Sequence, residues 1–531
     1  MTLSSLLLGV AVVAAILTGI VYALREKSWI NFHNLPMSYL QNFVGALFIF
    51  SGGVKAIDPL GTAYKLEQYF GEFETTFNGT WFSFISGIFP VMSDNALTLS
   101  VIVITFEIIL AIMLLIGYRK KFTAWAFFLL MVFFTFLTGY TYLTGYVPNE
   151  GIVNLSNEAG DVLTVLEGNV EEKVSEGWAA KDTITPNFFK FSTWGSYVET
   201  NMKVTDCGCF GDFLKLEPKT SFLKDVFLLI PGILFLLFTG KLHQIFAPRT
   251  RMWATLGSTI AVLAFCYYNF GINLPVTDFR PFREGVDVRA TKKAEMDAAA
   301  AVEVTGYRLR NLKTGKVVEL AVDSYLTDIE NYPATEGWNR GGVEQIKEEP
   351  SVKKTKISEY SIQGEKSITY TYVTILSAEG DTIPDYDYND YISMDTTGYR
   401  TLSTRQETSV ETTDLEDDLM ADPNYSFMIV AYKLEKSNKS AFKNKINALH
   451  KGAEGDGLNF YVVNASSDDY VEKFRHEVQS PYTYYSADDI LLKTIIRSNP
   501  GVVLWKNGVI VKKWHQKQLP SYEEIKAKYM K

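Results

Sequence analysis

Long apolar runs alternate with short polar loops through the first half of the chain and vanish from the second half. A helix needs about 20 mostly apolar residues to cross a bilayer's hydrocarbon core. Six stretches qualify, at 3–24, 39–57, 96–117, 122–145, 222–240 and 252–271. The first has no basic segment ahead of it and runs a full span, so it reads as a retained helix rather than a signal peptide. Lys and Arg gather in alternate loops, at Arg25 and Lys27, at Arg119, Lys120 and Lys121, and at Lys241, Arg249 and Arg251. The positive-inside rule puts those loops in the cytoplasm. The N-terminus, 58–95, 146–221 and everything after about 272 then lie outside.

Between the spans, Lys65, Leu66, Tyr69 and Phe70 follow helical spacing, and Trp81, Phe82, Phe84, Ile85, Ile88 and Phe89 form an aromatic-rich patch. This predicts an amphipathic segment at the outer interface. Pro231-Gly232 predicts a kink in the fifth span. Beyond the spans, 272–300 reads as a linker. Tyr307, Leu309 and the run VVELAV at 317–322 flank KTGK as a hairpin, and SITYTYVTIL at 367–376 reads as a strand. The acidic stretch 377–422 reads as a solvated loop. Calcium is a second reading there, without the D-x-D-x-D-G loop and closing Glu that would support it. In the last 110 residues strands are expected at 426–432 and 458–466, and helices at 440–450, 468–478 and 488–498. GVVLWK and VIVKKW, joined by Asn507-Gly508, form a hairpin before a closing helix. The order β-α-β-α-α-β-β-α predicts a compact α/β layer.

Composition adds exclusions. The 531 residues carry a net charge of −9, which argues against nucleic-acid binding. Three cysteines cannot staple a scaffold. Two of them stand in Cys207-Gly208-Cys209-Phe210-Gly211-Asp212, ahead of the fifth span and on its outer side. Gly208 permits the tight backbone of an i,i+2 disulfide, and such a strained ring would be labile and oxidising. The alternatives are two small residues packed in a turn, or zinc. Zinc needs two further ligands, and neither Cys266 nor His33, His243, His450, His476 and His515 is spaced to supply them, so no metal is assigned. Cys266, in the sixth span on the same side, reads as a small hydrophobe or a resolving thiol. Glu107 lies mid-span, where an unpaired charge costs several kcal/mol. It reads either as a proton carrier or as a structural group, with Lys55 and Asp58 as partners.

The string SGGVKAIDPLGTAYKLEQYF after a span, the glutamate in the next, then CGCFGD and SFLKD at a later span resemble the DoxX/MauE membrane family over about residues 39–240. The resemblance implies a four-helix membrane core. It also implies either quinone-linked sulfur oxidation or disulfide formation in a periplasmic amine dehydrogenase beside a separate thioredoxin-like partner. The last elements, with NPGVVLWKNGVIV, resemble the second half of a thioredoxin-like fold, in which a cis proline faces the redox dithiol. Pro500, flanked by Asn499 and Gly501, takes that place. The matching segment KLEKSNKS (433–440) has no cysteine, which implies a binding module without its own redox centre. The layout is similar to fused DoxX-family proteins of Bacteroidota-type bacteria. It departs from the family in an extra span on each side of the core, a long loop at 146–206 and a tail without a dithiol, and these departures argue against a methylamine role.

The expected fold is therefore an α-helical membrane bundle of about six spans plus a periplasmic thioredoxin-like α/β domain, joined by a β-rich region. The expected segments are an extra helix and loop at 1–38, a DoxX/MauE-like domain at 39–240, a sixth span at 241–272, a linker and β-rich region at 273–422 and the thioredoxin-like domain at 423–531. The expected function, at the bacterial inner membrane, is periplasmic thiol–disulfide exchange or electron transfer through Cys207 and Cys209, with Glu107 handling protons and a quinone as electron sink. Membrane lipid and a periplasmic thiol client or partner oxidoreductase are the expected partners, docking around Pro500. The competing expectation is a non-catalytic, membrane-anchored platform whose tail binds an envelope protein.

Overall fold

All six apolar stretches fold as helices long and apolar enough to cross a membrane: α1 (Leu3–Ala23), α2 (Leu35–Ile57), α5 (Ala96–Ile116), α6 (Lys120–Thr144), α8 (Pro218–Leu237) and α9 (Pro248–Tyr267, extended by a wide turn to Ile272). Local chemistry sets their ends. Asn34 caps α2 by accepting the Met37 N–H at 2.9 Å. Asp58 caps α3 (Pro59–Phe77) in the same way through Gly61, with Pro59 at the first helical position. The short helix α4 (Ile88–Asp94) follows. The computed structural model describes residues 2–531 apart from 79, 158–161, 196, 205–207, 313, 315, 341–342, 349, 378 and 394–395. Its chain divides into two units, 1–279 with 300–351, and 280–299 with 352–531.

In the first unit the helices are tied by polar contacts at each interface. Such contacts matter where the surroundings are as apolar as the helix faces. Asn42 donates to Thr18 at 2.9 Å, Tyr69 bonds Thr141 at 2.6 Å, and Ser100 donates to the Pro59 carbonyl at 2.7 Å. The helix α3 buries Leu66, Tyr69, Phe70 and Phe73, whereas Trp81 and Phe84 beyond it are exposed. The three basic loops meet at one end of the bundle. There β1 (Ile30–Asn31) pairs with β5 (Gln244–Ile245), and Gln244 donates to the Gly117 carbonyl. Gly117 ends α5 in the left-handed region (φ +66°), and a Cβ at that position would collide with the His243 carbonyl. His243 is fully buried between Ser38, 2.7 Å from Nδ1, and the Leu115 carbonyl, 2.9 Å from Nε2. Gln41 bridges the main chain of His243 and Leu114.

At the opposite end the long loop forms a three-stranded sheet, β3-β2-β4, of β2 (Ile152–Ser156), β3 (Val162–Leu166) and β4 (Ala179–Ile184), with α7 (Val170–Ser175) between β3 and β4. Val153, Leu155, Leu163 and Val165 are its core, and Ala334 packs against them. A second sheet, β7-β6-β8, joins β6 (Val304–Arg310), β7 (Val317–Ala321) and β8 (Glu344–Lys347).

The second unit is built on one sheet that begins with β10 (Thr382–Asp387) and β9 (Gln363–Leu376) and runs in the order β10-β9-β14-β13-β12-β15-β16. Its centre holds β12 (Tyr425–Ala431), parallel to β13 (Asn459–Asn464) and antiparallel to β15 (Gly501–Lys506). Beyond them lie β14 (Thr483–Ser486) and β16 (Val509–His515). The run SFMIVA in β12 is continuously apolar because both faces are covered. Phe427 and Ile429 face a core with Phe442, Leu449, Phe474 and Ile525. Met428 faces the other way and accepts from the Tyr360 hydroxyl, in a group with Phe282 and Trp505.

Two expectations need correction here. Residues 273–422 do not form one connecting region, and the stretch expected as a linker is part of the C-terminal fold. Gly285 donates to the Ile510 carbonyl, Ile510 to Val286 and Val288 to Gly508, so 284–288 covers the open edge of β16. Glu295, buried, accepts from Thr355 and Ser358, and Lys292 pairs with Glu416. The stretch 377–422 is not simply a loop. It contains β10 (Thr382–Asp387) and β11 (Arg400–Asp414), and both pair with β9 (Gln363–Leu376). Thr and Val supply the strand preference of β11, but nearly every side chain is exposed, so no apolar alternation marks it in the sequence.

Burial pushes the His243 pKa down to about 4, against the opposing hydrogen bond to Leu115. The folded protein therefore binds fewer protons at this site than the unfolded chain between pH 6.5 and 4. Stability should fall as pH drops through that window, by up to about 3 kcal/mol. Thermal unfolding in detergent at pH 7 and at pH 4.5 will show this slope, and His243→Gln will flatten it.

Candidate functional site

The residues singled out at Lys55, Glu107 and Cys209 are drawn together by α2, α5 and the segment that leads into α8. Lys55 lies in the last turn of α2 and Glu107 in the middle of α5. The helices can come this close because Gly52 leaves room for Ile108 and the stem of Glu107. Lys55 Nζ donates to Glu107 Oε2 at 2.7 Å, and the two side chains are 7% and 1% exposed. Burying such a pair is favourable only when further partners satisfy its remaining donors. Lys55 has two: Ser51 Oγ at 3.3 Å, one turn back on α2, and the face of Phe134, 4.8 Å from Nζ to the ring centre. Among the described residues Glu107 Oε1 has no hydrogen-bond partner. Asp58 has a different role, as the cap of α3.

The hydroxyl of Ser51 donates in turn to the Cys209 carbonyl at 3.0 Å. A continuous polar line thus runs Glu107–Lys55–Ser51–Cys209. The Cys-Gly-Cys turn is shaped by Gly208, at φ +60°, with the Gly211 N–H donating back to the Gly208 carbonyl at 3.1 Å. A Cβ at Gly208 would also touch the stem of Lys65. Phe210 is buried and anchors the turn, with Phe50 at 6.0 Å and Lys224 at 5.7 Å from its ring. Lys224 pairs with Asp225, which accepts from Thr138 at 3.0 Å. The turn therefore rests between two buried ion pairs. Cys209 is a free thiol. Burial raises its pKa above the usual thiol range, and Lys224 opposes that shift. Cys207 lies outside the described residues.

The other candidates are placed elsewhere. Cys266 is a fully buried free thiol among Ala56, Ile104 and Ile108, whereas Cys209 packs on the apolar cluster of Phe210 and Phe48. In the second unit the Asn499–Pro500 peptide bond is cis, at the entry to β15. Pro500 and Gly501 are buried, and half-buried Asn499 donates to the Lys433 carbonyl at 2.9 Å. Around them Ser437 Oγ, Asn499 Oδ1 and Gln516 Oε1 are buried without hydrogen-bond partners among the described residues. Among the described residues no group of three or more His, Cys, Asp or Glu side chains converges as a metal site would.

Sequence reading missed Ser51 and the Lys224–Asp225 pair as parts of the site. The signal for Ser51 was its position four residues before Lys55, on the same face of α2. For Asp225 it was a second carboxylate inside an apolar run.

Residues 34–149 match the model of a family described as methylamine utilisation protein MauE. The match covers α2 to α6, including Lys55 and Glu107, and ends ahead of Cys207 and Cys209. No curated protein and no solved structure matches the chain. With six helices of spanning length, the protein is a membrane protein that is MauE-like across that stretch.

Removing one partner of a buried pair costs about 3–5 kcal/mol. Lys55→Met should lower thermal stability in detergent by that order, and adding Glu107→Gln should restore a large part of it. A double variant as unstable as the sum of the singles would show that the two side chains act independently.

Proposed function

We propose that this protein carries out thiol–disulfide exchange at the membrane, with Cys207 and Cys209 as the exchanging pair. The reading rests on one observation above all: the Cys209 main chain is hydrogen-bonded through Ser51 to a fully buried Lys–Glu pair. A client thiolate attacks one sulfur of the Cys207–Cys209 disulfide and expels the other as thiolate. A second client thiol, deprotonated, then attacks the mixed disulfide, so the client leaves oxidised by two electrons and the pair is left reduced.

A quinone, if it is the sink, would take up two electrons and two protons. The buried Glu107 Oε1, without a hydrogen-bond partner among the described residues, fits as the atom that would accept a hydrogen bond from the hydroxyl of the quinol so formed. Lys55 holds Glu107 in place, and Ser51 holds the turn at a fixed distance from both. We further propose that the CGC turn and the C-terminal unit lie on the periplasmic side of a bacterial inner membrane, following the loop charges.

For the tail, a thioredoxin-like reading is supported by the strand order β13-β12-β15-β16, with β12 and β13 parallel, β15 and β16 antiparallel, and Pro500 at the entry to β15. No cysteine follows β12, so this domain would dock a client or partner oxidoreductase. Since Pro500 is buried, the docking face would be formed by the half-buried Asn499 and Gln516 beside it.

Acid quench and maleimide mass-tagging in cells will test the pair. A mixture of oxidised and reduced forms that shifts with aeration is expected, and Cys207→Ser and Cys209→Ser should give the same loss of client oxidation, alone or combined. A pair that stays reduced under every condition would end the exchange reading. Ser51→Ala should slow exchange while leaving both thiols taggable.

A further inference from the structure

The basic end of the bundle carries a feature that the thiol reading does not use. Arg119, Lys120, Lys121, Phe122, Gly240 and Gln244 line a cavity of about 400 Å³, open on one side, between the start of α6 and the turn after α8. The segments 117–123 and 238–252 bring six Lys and Arg to this end and no Asp or Glu. Among the described residues no carboxylate pairs with any of the six. Lys120 Nζ is held on the Leu242 carbonyl at 3.1 Å, and Arg251 Nη1 on the Gly117 carbonyl at 3.0 Å. Lys241 lies over Phe238, and Arg119 over Tyr118. Main-chain carbonyls and aromatic rings position these cations, and among the described residues nothing neutralises them.

A second observation says what the counter-charge is attached to. From the rim of the cavity α6 runs away with Phe122, Trp125 and Leu129 on one face, 54%, 57% and 59% exposed. The spacing i, i+3, i+7 makes them a single apolar stripe along a helix of membrane-spanning length. A cationic cavity at the end of an apolar stripe is complementary to one molecule with an anionic head and a hydrocarbon tail. We propose that this cavity binds an anionic phospholipid, its phosphodiester among Arg119, Lys120 and Lys121 and an acyl chain along Phe122, Trp125 and Leu129. Basic cavities between membrane helices recognise lipid headgroups by this chemistry. The inference is independent of the thiol reading and of which side of the membrane this end faces.

The test is native mass spectrometry of the full-length protein released from mixed micelles of phosphatidylglycerol and phosphatidylcholine. Phosphatidylglycerol should be retained in preference to phosphatidylcholine by roughly tenfold, the scale of one or two basic contacts. Arg119→Gln with Lys121→Gln should remove most of that preference. Because loop charges also set topology, a second variant keeps them all: Gly240→Leu, where an added Cβ meets nothing within 4 Å, fills the cavity and should lose the preference equally. Equal retention of the two lipids by the wild type would overturn the proposal. So would an unchanged preference in either variant. Displacement of phosphatidylglycerol by millimolar inorganic phosphate would also overturn it, in favour of a simple anion site.

Discussion

The buried Lys55–Glu107 pair is the constraint on which the membrane unit depends. Two ionised side chains inside a helix bundle are tolerable only at short range and with their remaining donors met. That requirement fixes the rotation of α2 against α5, accounts for a glycine at 52 and selects Ser51 and Phe134 as neighbours. It also reaches outside the bundle, because the hydroxyl that steadies Lys55 is the one that holds the Cys209 main chain. Charge placement and loop placement are thus one problem with one solution. The Lys224–Asp225 pair repeats the arrangement on the other side of the turn, with Thr138 in the supporting role.

At the far end the same need is met without ions. Gln41 and His243 satisfy main-chain groups at the ends of α5 and the turn before α9, and Gly117 lets the backbones meet. A neutral imidazole suits that position because it can donate through one nitrogen and accept through the other. The bundle is held at one end by charge and at the other by neutral hydrogen bonds.

Much of this was legible in the sequence. The six spans were plain because length and apolarity are sufficient signals for a helix of that kind. Glu107 stood out as a carboxylate amid VIVITF and IILAIM, and Lys55 was near enough in the pattern to be considered its partner. The hairpin at Asn507-Gly508 and the central strand at 426–432 were equally direct. What stayed hidden was everything whose signal is non-local. Ser51 is an ordinary serine until the Cys209 carbonyl is brought beside it. The segment 284–288 has no strand pattern of its own and acquires one only against β16. The side chains of β11 are exposed along nearly its whole length, so the alternation that reveals most strands was missing there, although its partner β9 was legible at 367–376. The burial of Pro500 was hidden for a related reason, since sequence position gives a residue's place in the fold but not its exposure.

The division of the chain carries a consequence for how such a protein could arise or be rearranged. The backbone passes between the two units three times, at 279–280, 299–300 and 351–352. Residues 300–351 leave the C-terminal unit after its first helix and return to it afterwards. A single crossover at 351–352 would strand 280–299 on the wrong parent and leave β16 with an open edge, the kind of surface that recruits other chains, and one at 279–280 would strand 300–351 instead. Clean exchange of either unit between relatives would need three coordinated breakpoints. The two halves should therefore be inherited together, and their partners should have changed in step.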